Sequence, residues 1–100
     1  MAATVDLAAL VIGDFSPHLD AVFDMQTADG VVPLKLAKAD PAGNSGRAGG
    51  AFSLIFTAPK GTPLPQAIYP VNHPVLGVME IFLVPIRPTQ EGNRYQAIFT

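Results

Sequence analysis

Residues 51–86, AFSLIFTAPKGTPLPQAIYPVNHPVLGVMEIFLVPI, hold three apolar runs of strand length between turns rich in proline and glycine. Proline this frequent rules out a long helix, because each internal ring removes an amide donor and clashes with the preceding turn. Short apolar runs bounded by turn residues are what a sheet requires. The only formal charges in this stretch are Lys60 and Glu80. A segment with that content is suited to packing against other strands.

Alternation assigns the faces. In residues 51–57, Phe52, Leu54 and Phe56 point one way and Ser53, Ile55 and Thr57 the other. A tight, proline-rich turn over residues 59–65 leads to a strand at 66–73, with Tyr69, Val71 and His73 on one face. Residues 78–86 are apolar on both faces, which predicts a central strand. The last strand, 94–99, returns across a loop containing Glu91, Gly92 and Asn93. Upstream, residues 21–26 and 31–39 flank Asp29-Gly30, a hairpin signal because both positions tolerate positive φ. In the second of these strands Val32, Leu34 and Leu36 share one face, and Val31, Pro33 and Lys35 the other. Pro33 has no amide proton, so it predicts an edge strand or a ladder position facing outward.

Six short strands with this punctuation predict an all-β domain, antiparallel, forming a small sandwich or barrel. The expected core is Phe23, Leu34, Leu36, Phe52, Leu54, Phe56, Val71, Ile81, Leu83 and Phe99. Ahead of the strands, Asp14 or Ser16 can cap a helical turn and Pro17 suits its first positions. One short turn over residues 15–20 is expected, with Phe15 and Leu19 capping one end of the core. Residues 1–13 place Leu7, Leu10 and Val11 at helical spacing, over too few residues to stand without tertiary support. The chain of 100 residues reads as a single domain. Within it, the run PAGNSGRAGG at 41–50 predicts a flexible loop that is dispensable for folding.

Charged residues are 14% of the chain, against about 25% in an ordinary soluble domain. The formal net charge of −2 projects no field toward nucleic acid or an anionic membrane. With 49% hydrophobic residues, the domain has trouble hiding its apolar surface alone, and a partner surface would help. Cysteine is absent, which excludes disulfides and thiolate metal sites. The first residues carry no Lys or Arg ahead of their apolar run, so no cleavable signal peptide is expected. The longest apolar stretch, 75–86, is broken by Glu80 and is shorter than the roughly 20 residues of a membrane-spanning helix. The expectation is a soluble protein made in the cytoplasm, without membrane insertion and with its place of action open, a surface or extracellular assembly included.

Catalytic equipment is sparse. His18 and His73 lie in separate turns with no metal-ligand spacing, so no metal site or cofactor is expected. His73 reads as a strand-end ring hydrogen-bonded to backbone beside Pro74, and His18 as a solvated turn residue. Asp14, Asp20 and Asp24 are explained by capping and solvation. Glu80 interrupts the most apolar strand and shares a face with Val78, Phe82 and Val84. It therefore sits at an open sheet end or is buried with a partner such as Arg94 or Arg87, since an unpaired buried carboxylate is costly. There is no GxSxG elbow, and the glycines of 43–50 lack the context of a phosphate loop. The aromatics sit among aliphatics rather than basic residues, which indicates core and not an RNA-binding face.

Asp14-Phe15, Leu19, Phe23, Phe52-Ser53-Leu54, Leu64-Pro65-Gln66, Tyr69, His73-Pro74, Leu76-Gly77 and Phe82-Leu83-Val84-Pro85 together resemble the pattern of a small family of uncharacterised bacterial proteins. The resemblance covers nearly the whole chain. In that family a glycine usually follows the Leu19 position; here Asp20-Ala21 stands there, so a different turn is expected. Members are often encoded near phage-tail-collar-like proteins, which implies an accessory of a tail-like or fibrous assembly.

Two functional readings follow. The first is a non-enzymatic structural or interaction module that contacts itself or fibre and tail-like proteins. Its expected surface is the outward face of an edge strand carrying Val31, Pro33, Lys35 and Ala37. The second is a small ligand-binding barrel or enzyme with His73, Glu80 and Tyr69 lining a pocket.

Overall fold

The computed structural model describes residues 10–28, 30–41, 51–61 and 64–99. Two 3-10 turns, Ile12–Asp14 and Ser16–His18, precede six strands among the described residues. These are β1 (Val22–Thr27), β2 (Gly30–Pro41), β3 (Phe52–Ala58), β4 (Ala67–His73), β5 (Gly77–Thr89) and β6 (Gly92–Phe99). All neighbours pair antiparallel and the sheet closes on itself in the order β1-β2-β3-β6-β5-β4. Of the two architectures expected, the barrel is the one found.

Closure has a consequence for β2. The sequence predicts an edge there, but β2 is paired with β1 on one side and β3 on the other. Pro33 is accommodated by the other option. Leu36 exchanges backbone bonds with Asp20 and Ala21 on the β1 side, so alternation turns Pro33 the opposite way. There β3 begins to pair only at Lys35↔Thr57, and no ladder bond is lost to the ring. The expectation of an outward ladder position holds; that of an edge strand does not.

A six-stranded barrel leaves an interior just wide enough for side chains, and here side chains fill it. Phe23, Met25, Leu34, Leu36, Leu54, Phe56, Val71, Met79 and Leu83 have no measurable exposure. All ten expected core residues are buried; Met25, Met79, Tyr95 and Ala97 join them. The expected central strand has a neighbour on each side, β4 and β6, but not two buried faces. In β5, Met79, Ile81 and Leu83 point inward while Glu80 and Phe82 are exposed, so this apolar strand has a wet face like the others.

The barrel has two unlike ends. At one, the 3-10 turns lay Phe15 against Phe23, Phe52 and Phe99, with ring centroids 6.4, 5.7 and 5.8 Å away. Phe52 and Phe99 stack at 4.6 Å and 9°. The turn cap is as expected for Phe15 but not for Leu19, which is 46% exposed. Asp14 fixes the entry by accepting the Val11 amide through Oδ2 at 2.9 Å. Asp20 has φ +67, a left-handed conformation more usual for glycine.

At the other end Gly61 and Leu64, which lie between β3 and β4 in sequence, are tied to β6. Tyr95, buried, accepts the Leu64 amide on its hydroxyl at 3.0 Å, and Asn93 Nδ2 donates to the Gly61 carbonyl at 2.9 Å. Gly92, at φ +145, lies so close to β3 that a Cβ there would stand 1.9 Å from the Ala58 carbonyl oxygen. The hairpin glycines sit one step later than the sequence suggests. Gly30 and Gly92 open β2 and β6 rather than occupying the turn. Asp29 and the glycine-rich positions 42–50 lie outside the described residues, whereas Pro41 ends β2.

Candidate functional site

The pocket expected from His73, Glu80 and Tyr69 does not assemble. Along β4, Tyr69 and His73 share the inward face but lie four residues apart, about 13 Å. Tyr69 reaches toward one end of the barrel, where its hydroxyl donates to the Pro65 carbonyl at 2.6 Å. His73 sits at the other end. Glu80 pairs with Pro70 across β4–β5 and is exposed on the outside of the wall. Nor is it buried with Arg94, whose Nε donates to the Arg87 carbonyl at 2.8 Å. These three residues share no cleft.

His73 behaves as its position predicts. Its ring is 5% exposed, and Nδ1 accepts the amides of Val75 and Leu76 at 3.1 and 3.2 Å, closing the three-residue turn to Gly77. An Nδ1 holding two donors carries no proton, so the neutral ring is the Nε2–H tautomer. The histidines are not separate, however. His18 meets His73 edge to face at 4.4 Å, and His73 lies 4.5 Å from Phe23. Burial first, and then His18, hold His73 below the ordinary imidazole value. Burial first, and then the nearby Tyr95, raise the Tyr69 phenol above its ordinary value. Both shifts favour the neutral form, which suits core residues. Among the described residues, no group of three or more His, Cys, Asp or Glu side chains stands together.

Val31, Pro33, Lys35 and Ala37 are exposed, as their parity requires. Their strand offers no open ladder over residues 35–41, because β3 covers that side. Ala37 is the extra residue of a bulge between Leu36 and Lys38. Lys35 is also the cation of an exposed contact with Asp20 at 3.9 Å. Where β2 and β3 splay apart, Val31, Pro33, Lys60, Leu64, Asn93 and Tyr95 are among the residues bordering an open cleft of about 370 Å³.

The most pronounced surface feature lies on the far wall. Ile68 on β4 pairs directly with Phe82 on β5, and both point outward. Ile98 on β6 is exposed as well, two residues beyond Gln96, where the β5–β6 ladder ends at Val84↔Gln96. Their exposures are 64%, 51% and 59%. Ile68 and Phe82 thus form an exposed apolar row across two strands, with half-buried Val84 next to Phe82 on the same face of β5. The sequence held a sign of this row. The parity that places Glu80 outside the wall places Phe82 there too.

No helix among the described residues is long and apolar enough to cross a membrane. Comparison with curated proteins and with solved structures returns no match. A family model, Domain of unknown function (DUF6916), matches residues 10–99. That span takes in both 3-10 turns and all six strands. An uncharacterised family is also what the coarse resemblance in the sequence implied. The chain belongs to the family described as Domain of unknown function (DUF6916).

Proposed function

We propose that this protein is a non-enzymatic structural or interaction module, an accessory or subunit of a tail-like or fibrous assembly, working through the outer wall of β4, β5 and β6. The observation that carries this reading is the exposed cross-strand pair Ile68 and Phe82, with Ile98 exposed on β6. Isolated surface apolar residues are ordinary, but large ones paired across two strands mark a contact surface. The filled interior adds support, since a barrel whose lumen is packed with side chains has its outside left for recognition.

The test is co-purification with fibre and tail-collar-like proteins. Wild-type protein is expected to form a complex that Phe82→Asp abolishes while circular dichroism stays unchanged. A complex unaffected by Phe82→Asp, or none with any such protein or with itself, overturns the reading.

A ligand-binding reading keeps one observation in its favour, the cleft of about 370 Å³ over Tyr95 and Asn93. That volume is within the range of small-molecule sites. It replaces the His73, Glu80 and Tyr69 pocket as the place where a ligand would be sought.

A further inference from the structure

The cleft of about 370 Å³ lies where the β2–β3 ladder stops, and the sequence supplies the reason for the stop. Backbone groups alternate along a strand, so Val31, Pro33 and Lys35 present theirs to the β3 side while Val32 and Leu34 bond to β1. The pair nearest the cleft is Lys35↔Thr57. One more bonded pair in that register would need Pro33 and Pro59 to exchange amide bonds, and neither ring has an amide to donate. The strands part there, and both prolines border the cleft. Among the described residues, nothing bonds to the Val31 amide or to the carbonyls of Val31 and Pro33.

We infer that this cleft takes an extended peptide segment of a partner protein, added as a short strand beside residues 31–33 of β2. The free groups recur at alternate residues, about 6.7 Å apart, which is the repeat of an extended chain. An added strand gives an amide to each of the two carbonyls and a carbonyl to the Val31 amide, the way an open sheet edge takes up a peptide. The inference goes beyond the outer-wall reading, whose residues Ile68, Phe82 and Ile98 do not border the cleft.

The walls set the side chains of the segment. Val32 and Leu64 are half-buried and Tyr95 is buried, so the residue turned inward is apolar. Tyr95 accepts the Leu64 amide on its hydroxyl oxygen and keeps its own proton to donate. Lys60 is exposed and is the one charged residue among those bordering the cleft, so the neighbouring residue of the segment, turned outward, is acidic. Tyr95 and Asn93 hold Leu64 and Gly61 in place, so this side of the cleft is set before any peptide arrives. With three main-chain groups on offer the contact is short and its affinity modest.

Selection of displayed random octapeptides on the full chain tests the inference. Enriched peptides are expected to alternate apolar residues with others, an acidic residue among them. When a synthetic copy of the strongest binds, exchange of the Val31 amide should slow about tenfold or more, while that of Val32, already bonded to Met25, stays as it was. N-methylation of the peptide should weaken binding by about tenfold at alternate positions, where an amide meets a β2 carbonyl. Lys60→Glu should weaken binding about fivefold or more, and a peptide with its acid changed to lysine should recover most of that loss in the variant, a result that misfolding cannot imitate. No enrichment, an unchanged Val31 amide, or a Lys60→Glu chain without loss and recovery each overturn the inference. Binding indifferent to N-methylation marks a side-chain pocket and overturns the added strand. The fibre-protein complex, measured separately, bears on the outer wall alone.

Discussion

At the end of the barrel where β1 begins, closure is by rings: Phe15 lies on Phe23, Phe52 and Phe99, and His18 on His73. At the opposite end, closure is by directed bonds, Leu64 donating to Tyr95 and Asn93 to Gly61, with one glycine allowing β6 to approach β3. Ring packing is tolerant of small shifts and loses energy in proportion to what is removed. A hydrogen-bonded latch with one permitted residue is less tolerant, because a donor or a steric gap is either present or lost. The two ends should therefore fail differently.

The severest break is expected at the latched end. Gly92→Ala places a methyl against the Ala58 backbone, at a φ that side chains rarely adopt. Destabilisation on the order of 4 kcal/mol or more, or loss of folded protein, should appear in urea titration. An alanine variant within about 1 kcal/mol of wild type would show that β3 and β6 can part without cost. At the ringed end, Phe15→Ala should cost about 3–4 kcal/mol by the same measurement, because the side chain is fully buried. Its cavity opens the barrel end without disturbing any latch bond, so Tyr95 should keep its native near-ultraviolet signal.

Smaller changes sharpen the contrast. Tyr95→Phe keeps the ring but removes the acceptor for the Leu64 amide, and should cost about 1–2 kcal/mol. The mildest test is acidity. His73 has its proton affinity depressed by burial and by His18, so the unfolded chain binds the proton more readily than the folded one. Its contribution is then present above the ordinary imidazole value of about 6.5 and is lost as pH falls below it. Melting temperature should decline as pH drops from about 7 to 5, and His73→Asn, whose Oδ1 can accept the same turn amides, should flatten that decline. An unchanged slope in the variant would move the acid sensitivity elsewhere.

Much of this fold could be read from parity. Phe52, Leu54 and Phe56 alternate with polar or smaller neighbours, and their burial follows directly. Turn chemistry placed the hairpins, although the glycines proved to open strands instead of filling the turns. What parity could not supply was closure. Whether β2 is an edge depends on which strand lies beyond it, a non-local fact that no property of Val31, Pro33, Lys35 or Ala37 encodes. The meeting of His18 and His73 is non-local in the same way, since fifty-odd positions of chain separate them. The apolar content of β5 misled for a different reason: Phe82 is apolar and still outside. Composition says what a residue prefers, whereas the register says where it stands.

The barrel is sewn shut unevenly. β3 and β6 are joined from Phe52↔Phe99 to Ala58↔Asn93, but β1 and β4 only at Asp24↔Asn72 and Met25↔Val71. Each three-stranded half, β1 to β3 and β4 to β6, is built from neighbours in sequence, and this short seam joins positions about 47 residues apart. Contacts of that kind are late to form in folding and early to yield. Native-state amide exchange should therefore run faster at the seam than across β3 and β6. When the seam parts, the facing sides of β1 and β4 lose their last two pairings and become unpaired along their whole length. Heat-induced aggregation should therefore begin at that seam.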